Sequence, residues 1–147
     1  WLMNGGGATM ASYGVERATD TFHAIWHLDE VRRDFRAALP ARHLEFLRAL
    51  GLSHTEGGYI FVHAGLRPGV ALAQQTAEDM MWIRDDFLRA NTDFGAIVVH
   101  GHSPLAAPVE RPNRIGIDTM AYRSGRLTCV VLEGTARRYM DTADHEG

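Results

Sequence analysis

Apolar positions fall into short blocks along the chain, and two of these blocks run straight into a histidine. Tyr59-Ile60-Phe61-Val62 leads to His63, with Gly65 two positions on. Ala96-Ile97-Val98-Val99 leads to His100-Gly101-His102-Ser103-Pro104. Continuous apolar runs of this length, rich in β-branched and aromatic residues, predict buried strands. The glycines and prolines behind them predict sharp turns, so each histidine should stand at the tip of a core strand, facing a loop. In α/β folds that edge is where ligands collect.

The remaining pattern predicts alternating helices and strands. Leu28–Leu39 has helical spacing, with Asp29 and Glu30 near its start and Arg32, Arg33 and Arg36 later, an order that suits the helix dipole. Pro40 fits the first position of another helix, carried by Leu44, Leu47 and Leu50 and ended by Gly51. Leu52–Thr55 and Tyr59–Val62 predict a hairpin around Glu56-Gly57-Gly58. Residues 70–90 read as helical, with Met80, Trp82, Ile83 and Phe87 as core or pocket lining. Arg114–Ile117 predicts a short strand with Asp118-Thr119 at its tip, Ser124-Gly125 a turn, and Leu127–Leu132 a last strand. The glycine-rich opening, residues 1–14, holds at most a short helical turn at Ala8–Tyr13, and the polar residues 134–147 read as a frayed end. The class is mixed α and β, in one domain spanning residues 1–147.

Composition narrows the function. At 147 residues the chain can bury one core, and 46% apolar with 22% charged residues is ordinary for a globular protein. A net charge of −3 offers nothing to nucleic acid or an anionic membrane. The single cysteine, Cys129, lies inside an apolar run and reads as a buried small hydrophobe. There is neither a run of membrane-spanning length nor a signal peptide, so a cytoplasmic location is expected. The chain opens on Trp1, and the expectation is that its natural start lies upstream.

Two histidine-tipped strands suggest a shared site, since imidazole suits Zn, Fe, Mn or Ni. The competing reading is a pair of hydrogen-bonded structural histidines. Arg84 has two readings as well: an ion pair with Asp85 or Asp86, or a phosphate clamp, because guanidinium matches phosphate oxygens bidentately. Gly5–Gly7 could cradle an anion, but without a lysine or a strand–helix context a turn is the better reading.

In order, His63-Ala64-Gly65, Trp82-Ile83-Arg84, His100 to Pro104, and Ile117-Asp118-Thr119 followed by Gly125-Arg126-Leu127 resemble the metallophosphoesterases. The resemblance is to the calcineurin-like superfamily and, within it, to the bacterial and phage branch of the serine/threonine phosphoprotein phosphatases. Trp1–Gly14 resembles the segment that follows a Gly-Asn-His-Glu motif there. The resemblance implies a β-sandwich flanked by helices, in αββα layers, with this chain as its C-terminal part. It implies two divalent metal ions, with Mn expected and Fe or Zn as the other candidates. His63 and His102 match metal ligands, Arg84 matches the phosphate-contacting arginine, and His100 matches a supporting, non-ligating position. The implied activity is hydrolysis of phosphate monoesters, on a phosphorylated protein or a small phosphoester, by a hydroxide activated between the metals. A related branch hydrolyses diadenosine polyphosphates, and a truncated, non-catalytic binding domain is the alternative outside enzymology.

Two departures qualify the resemblance. The earlier motifs, Gly-Asp-x-His-Gly, Gly-Asp-x-x-Asp-Arg-Gly and Gly-Asn-His-Glu, are absent from these residues. Two imidazoles fall short of the three or more protein ligands of a catalytic metal site, so the chain alone is expected to bind metal weakly and to be inactive. Met120 stands where the pattern has glycine, and its side chain is expected to narrow the pocket or shift the loop near Asp118.

Overall fold

The computed structural model describes residues 1–143. They form two compact units, one from Trp1 to Leu50 and one beginning at Gly51.

The first unit is helical. Its helices are α1 (Gly6–Ser12), α2 (Thr21–Trp26), α3 (Leu28–Ala38) and α4 (Ala41–Ala49). The core is Met10, Val15, Ala18, Ala24 and Val31, with Leu2, Phe35 and Ala38 packed against it. The glycines of the opening segment serve this packing rather than a loose turn. Gly5 takes a left-handed conformation (φ 89°) ahead of α1. A Cβ on Gly7 would come within 2.3 Å of the Ala18 carbonyl oxygen, so only glycine allows that approach. Helix α4 follows Pro40, which caps it from an extended conformation instead of opening it. None of its residues is buried, and Leu44, Leu47 and Leu50 are exposed.

The second unit is built on a five-stranded mixed sheet in the order β1-β2-β3-β5-β4, beside a two-stranded sheet. The strands are β1 (Ser53–Glu56), β2 (Tyr59–Val62), β3 (Ile97–His100), β4 (Val109–Arg111) and β5 (Arg114–Gly116). Strand β1 pairs with β2 through the Gly57-Gly58 turn, in the expected hairpin. Strands β2, β3 and β5 run parallel, with Val62 opposite His100 and His100 opposite Gly116. The antiparallel β1 and β4 form the edges.

Alternation along these strands separates two apolar faces. Ile60, Val62 and Val98 pack with Ala64, Leu66, Met80, Ile83 and the fully buried Phe87. Tyr59, Val99 and Ile115 form a second cluster, covered by Val130, Leu132 and Tyr139. Those three side chains come from the hairpin of β6 (Thr128–Glu133) and β7 (Ala136–Asp141). Residues 136–141 therefore form a regular strand where the sequence suggests a frayed end; residues 144–147 lie outside the described residues. Because Val130 and Leu132 point to the core, their neighbour Cys129 faces the other way. It is exposed, not buried as expected.

The helical stretch predicted over residues 70–90 is three short pieces: a 3-10 turn at Leu72–Gln74, α5 (Ala77–Trp82) and α6 (Asp85–Leu88). Thr76 caps α5 by accepting the Asp79 N–H at 3.0 Å. The chain leaves the helix at Ile83 (ψ 142°) and restarts after Arg84 (ψ −98°), whose carbonyl accepts from Phe87 and Leu88. This break sets Arg84 apart from both helices. A further helical turn, α7 (Ala121–Ser124), occupies the predicted turn near Ser124, and Gly125 ends it in a left-handed conformation.

Candidate functional site

The three parallel strands end at one edge of the sheet, and each delivers a polar residue there. His63 follows β2, His100-Gly101-His102 closes β3, and Asp118 stands two residues beyond β5. Backbone hydrogen bonds continue past the strands. Gly101 N–H donates to the His63 carbonyl at 2.9 Å, Ile117 N–H to His100 at 3.0 Å, and Leu105 N–H to Asp118 at 2.9 Å. The strand ends are thus held in fixed relation to one another.

That frame brings His63 and His102 together. His63 Nε2 lies 3.2 Å from His102 Nδ1, with ring centroids 4.9 Å apart. Two chemistries fit the pair: one N–H···N hydrogen bond, or two bare nitrogens turned toward one ion. Metal–imidazole bonds of about 2.0–2.1 Å place two nitrogens of a tetrahedral ion roughly 3.3–3.4 Å apart. The spacing therefore suits neighbouring positions on a single ion. Among the described residues, no group of three or more His, Cys, Asp or Glu side chains could complete the coordination. The fit is that of a half-site.

His102 adopts a left-handed backbone conformation, with φ at 63°. Its ring packs edge-on against Trp82, centroids 5.5 Å apart. Burial lowers its pKa, and the charges of Arg84 and His63 lower it further. Asp118 and a weaker contact with the Trp82 carbonyl act the other way, although the buried Nε2 has no hydrogen-bond partner of good geometry. The balance favours neutral imidazole, the form that binds metals.

Arg84 reaches the pair from the side. Its Nη1 donates to the His102 carbonyl at 3.1 Å. The ion pair weighed for it is not formed: Asp85 pairs with Arg89 at 2.8 Å and Asp86 with Arg67 at 3.3 Å. Arg84 and His63 line different hollows. An open depression of about 620 Å³ beside His63 is walled by His54, Phe61, Val99, Gly101 and Ile117. A smaller one of about 360 Å³ holds Arg84 with Trp82, Arg67, Asp79 and Asp86.

His100 points to the helical face of the sheet. It is buried, its ring stands edge-to-face on Phe87 at 4.9 Å, and burial lowers its pKa. Gly65 underlies this packing, because a Cβ there would meet Phe87 at 2.4 Å. Asp118 spends one carboxylate oxygen on the Met120 N–H at 3.1 Å and faces both His100 and His102 electrostatically. Sequence reasoning placed Asp118 at a strand tip without bringing it to the histidines, since the parallel pairing of β3 with β5 joins them and nothing local encodes that pairing.

Compared with known proteins, the chain matches no family model, no curated protein and no solved structure. Among the described residues, no helix is long and apolar enough to cross a membrane.

Proposed function

We propose that this chain is part of a metal-dependent phosphoesterase of the metallophosphoesterase type, hydrolysing phosphate monoesters such as phosphoserine or phosphothreonine. The observation that carries the reading is the 3.2 Å approach of His63 Nε2 to His102 Nδ1 across two parallel strand ends, with a guanidinium alongside. The proposed architecture is a helix-flanked sandwich, in which the hairpin of β6 and β7 belongs to the layer opposite α5 and α6. His63 and His102 hold one metal ion, and the ligands that complete a dinuclear site come from polypeptide outside these residues. When bound, the ions supply Lewis acidity and lower the pKa of a water. The chain's own part is to aim both imidazoles, to keep that of His102 neutral, and to offer a cation to phosphate. Arg84 uses one N–H on the His102 carbonyl, which leaves four donors on its guanidinium for phosphoryl oxygens.

The test is Co²⁺ uptake by the 147-residue chain, followed by calorimetry and by visible absorption. Weak, saturable binding is expected, falling about tenfold or more in both His63→Ala and His102→Ala, with no Mn²⁺-dependent turnover of p-nitrophenyl phosphate. Uptake that ignores both substitutions would sink the metal reading, and turnover by this chain alone would sink the half-site.

A further inference from the structure

We propose that Arg84 is a positioning residue for His102, holding residue 102 in its left-handed conformation so that Nδ1 faces His63. The inference goes beyond the metal-dependent reading but uses its site. A histidine at φ 63° is held against its backbone preference, since a Cβ disfavours this region. Something must over-determine such a conformation. The arginine is well placed for it. Its backbone is anchored at the start of α6 through the bonds from Phe87 and Leu88 at 3.0 and 2.9 Å. Its neighbours Asp85 and Asp86 are engaged by Arg89 and Arg67, and among the described residues no carboxylate pairs with Arg84. Among the described residues, the one hydrogen bond that its guanidinium donates ends on the carbonyl of the left-handed residue itself. A charge-assisted donor on that carbonyl fixes the peptide plane after residue 102. On the other side, the carbonyl of Gly101, in the peptide that precedes residue 102, accepts from the Ser103 N–H at 2.7 Å across His102. With both flanking peptides pinned, the imidazole has one direction in which to point.

Charge and position make opposite predictions for a cation at the pair. As a bare positive charge, Arg84 repels a metal ion, so its removal should tighten binding. As a positioning group, its removal should loosen binding despite the relieved repulsion.

The experiment compares the wild-type chain with Arg84→Ala and Arg84→Lys, the latter keeping a donor and the charge. One readout is Co²⁺ affinity by calorimetry. The other, on metal-free protein, is the strong intraresidue amide–Hα NOE that marks a left-handed residue 102. We expect Arg84→Ala to lose that NOE and about tenfold in Co²⁺ affinity, the lower end of what supporting partners of metal ligands contribute. Arg84→Lys should retain both. An NOE that persists in Arg84→Ala overturns the proposal, as does an affinity that holds or rises. If the wild-type chain takes up no Co²⁺, the metal reading fails, and the NOE alone decides the role of Arg84. Amide spectra check that each variant is folded.

Discussion

Among the described residues, two that are not glycine carry positive φ angles, and they flank the same strand ends: His102 at 63° and Met120 at 60°. Met120 begins α7 in the left-handed region, after its N–H is taken by Asp118. Met120 thus occupies a backbone conformation that favours glycine. Replacing Met120 by glycine removes a conformational penalty of about 1–2 kcal/mol and returns roughly 0.5–1 kcal/mol through the more flexible unfolded chain. The Met120→Gly variant should be more stable by about 0.5–1 kcal/mol, read as a higher urea midpoint with an unchanged m-value. No such relief is expected at His102, where the backbone strain is coupled to the direction of the ring. His63 was legible in the sequence because it ends an apolar run; the second run ends on His100, and only the family resemblance pointed past it to His102. The bond from Arg84 to the His102 carbonyl was not legible, because a carbonyl presented by a left-handed residue leaves no residue-type signature.

Short elements with strong local signals were the readable ones. The hairpin of β1 and β2 announced itself through Gly57-Gly58, and β3 through its unbroken apolar run. Strand β7 was hidden because Arg137 packs by pairing with Glu110 and Tyr139 by donating to Glu110 at 2.6 Å, so its inward face reads as polar. The break between α5 and α6 was hidden because Ile83 and Arg84 are ordinary helix formers, overridden by the burial of Ile83 and the restart at Asp85. Helix α5 is tied down through the buried Asp79, which receives Arg67 on both oxygens and the Thr76 hydroxyl at 2.8 Å. Arg67 is the main reason that the Asp79 pKa is lowered. A carboxylate with a lowered folded-state pKa stabilises the fold above its unfolded value, near 4, and loses that contribution as the pH falls through the folded one. The urea midpoint of the wild-type chain should therefore decline below about pH 4. Asp79→Asn should lower the midpoint at neutral pH and flatten that acid decline. An acid limb of equal steepness in the variant would assign it to other carboxylates.

At the scale of the molecule, surface apolarity is concentrated on the helical unit. Phe22 and Trp26 sit one turn apart on α2 at 79% and 83% exposure, and Phe46 on α4 is also exposed. Exposed aromatic side chains favour association where they meet a partner. Trp26→Ser combined with Phe46→Ser should shift the chain toward monomer in light scattering, with little change in unfolding midpoint, since neither side chain is buried. Nothing local signals this: Leu44, Leu47 and Leu50 have the spacing of a buried stripe, and whether such a stripe is covered depends on what packs against it. The parallel centre of the sheet has a different consequence. His63 and His102 meet because Val62 lies opposite His100. A slip of one residue between β2 and β3 would carry one ring about 3.3 Å along the strand and turn its neighbours to the opposite face. An ion that demands both imidazoles would then be refused. Metal uptake would act as a proofreader of strand alignment, rewarding the one register in which the two rings share a ligand and leaving every misaligned sheet without it.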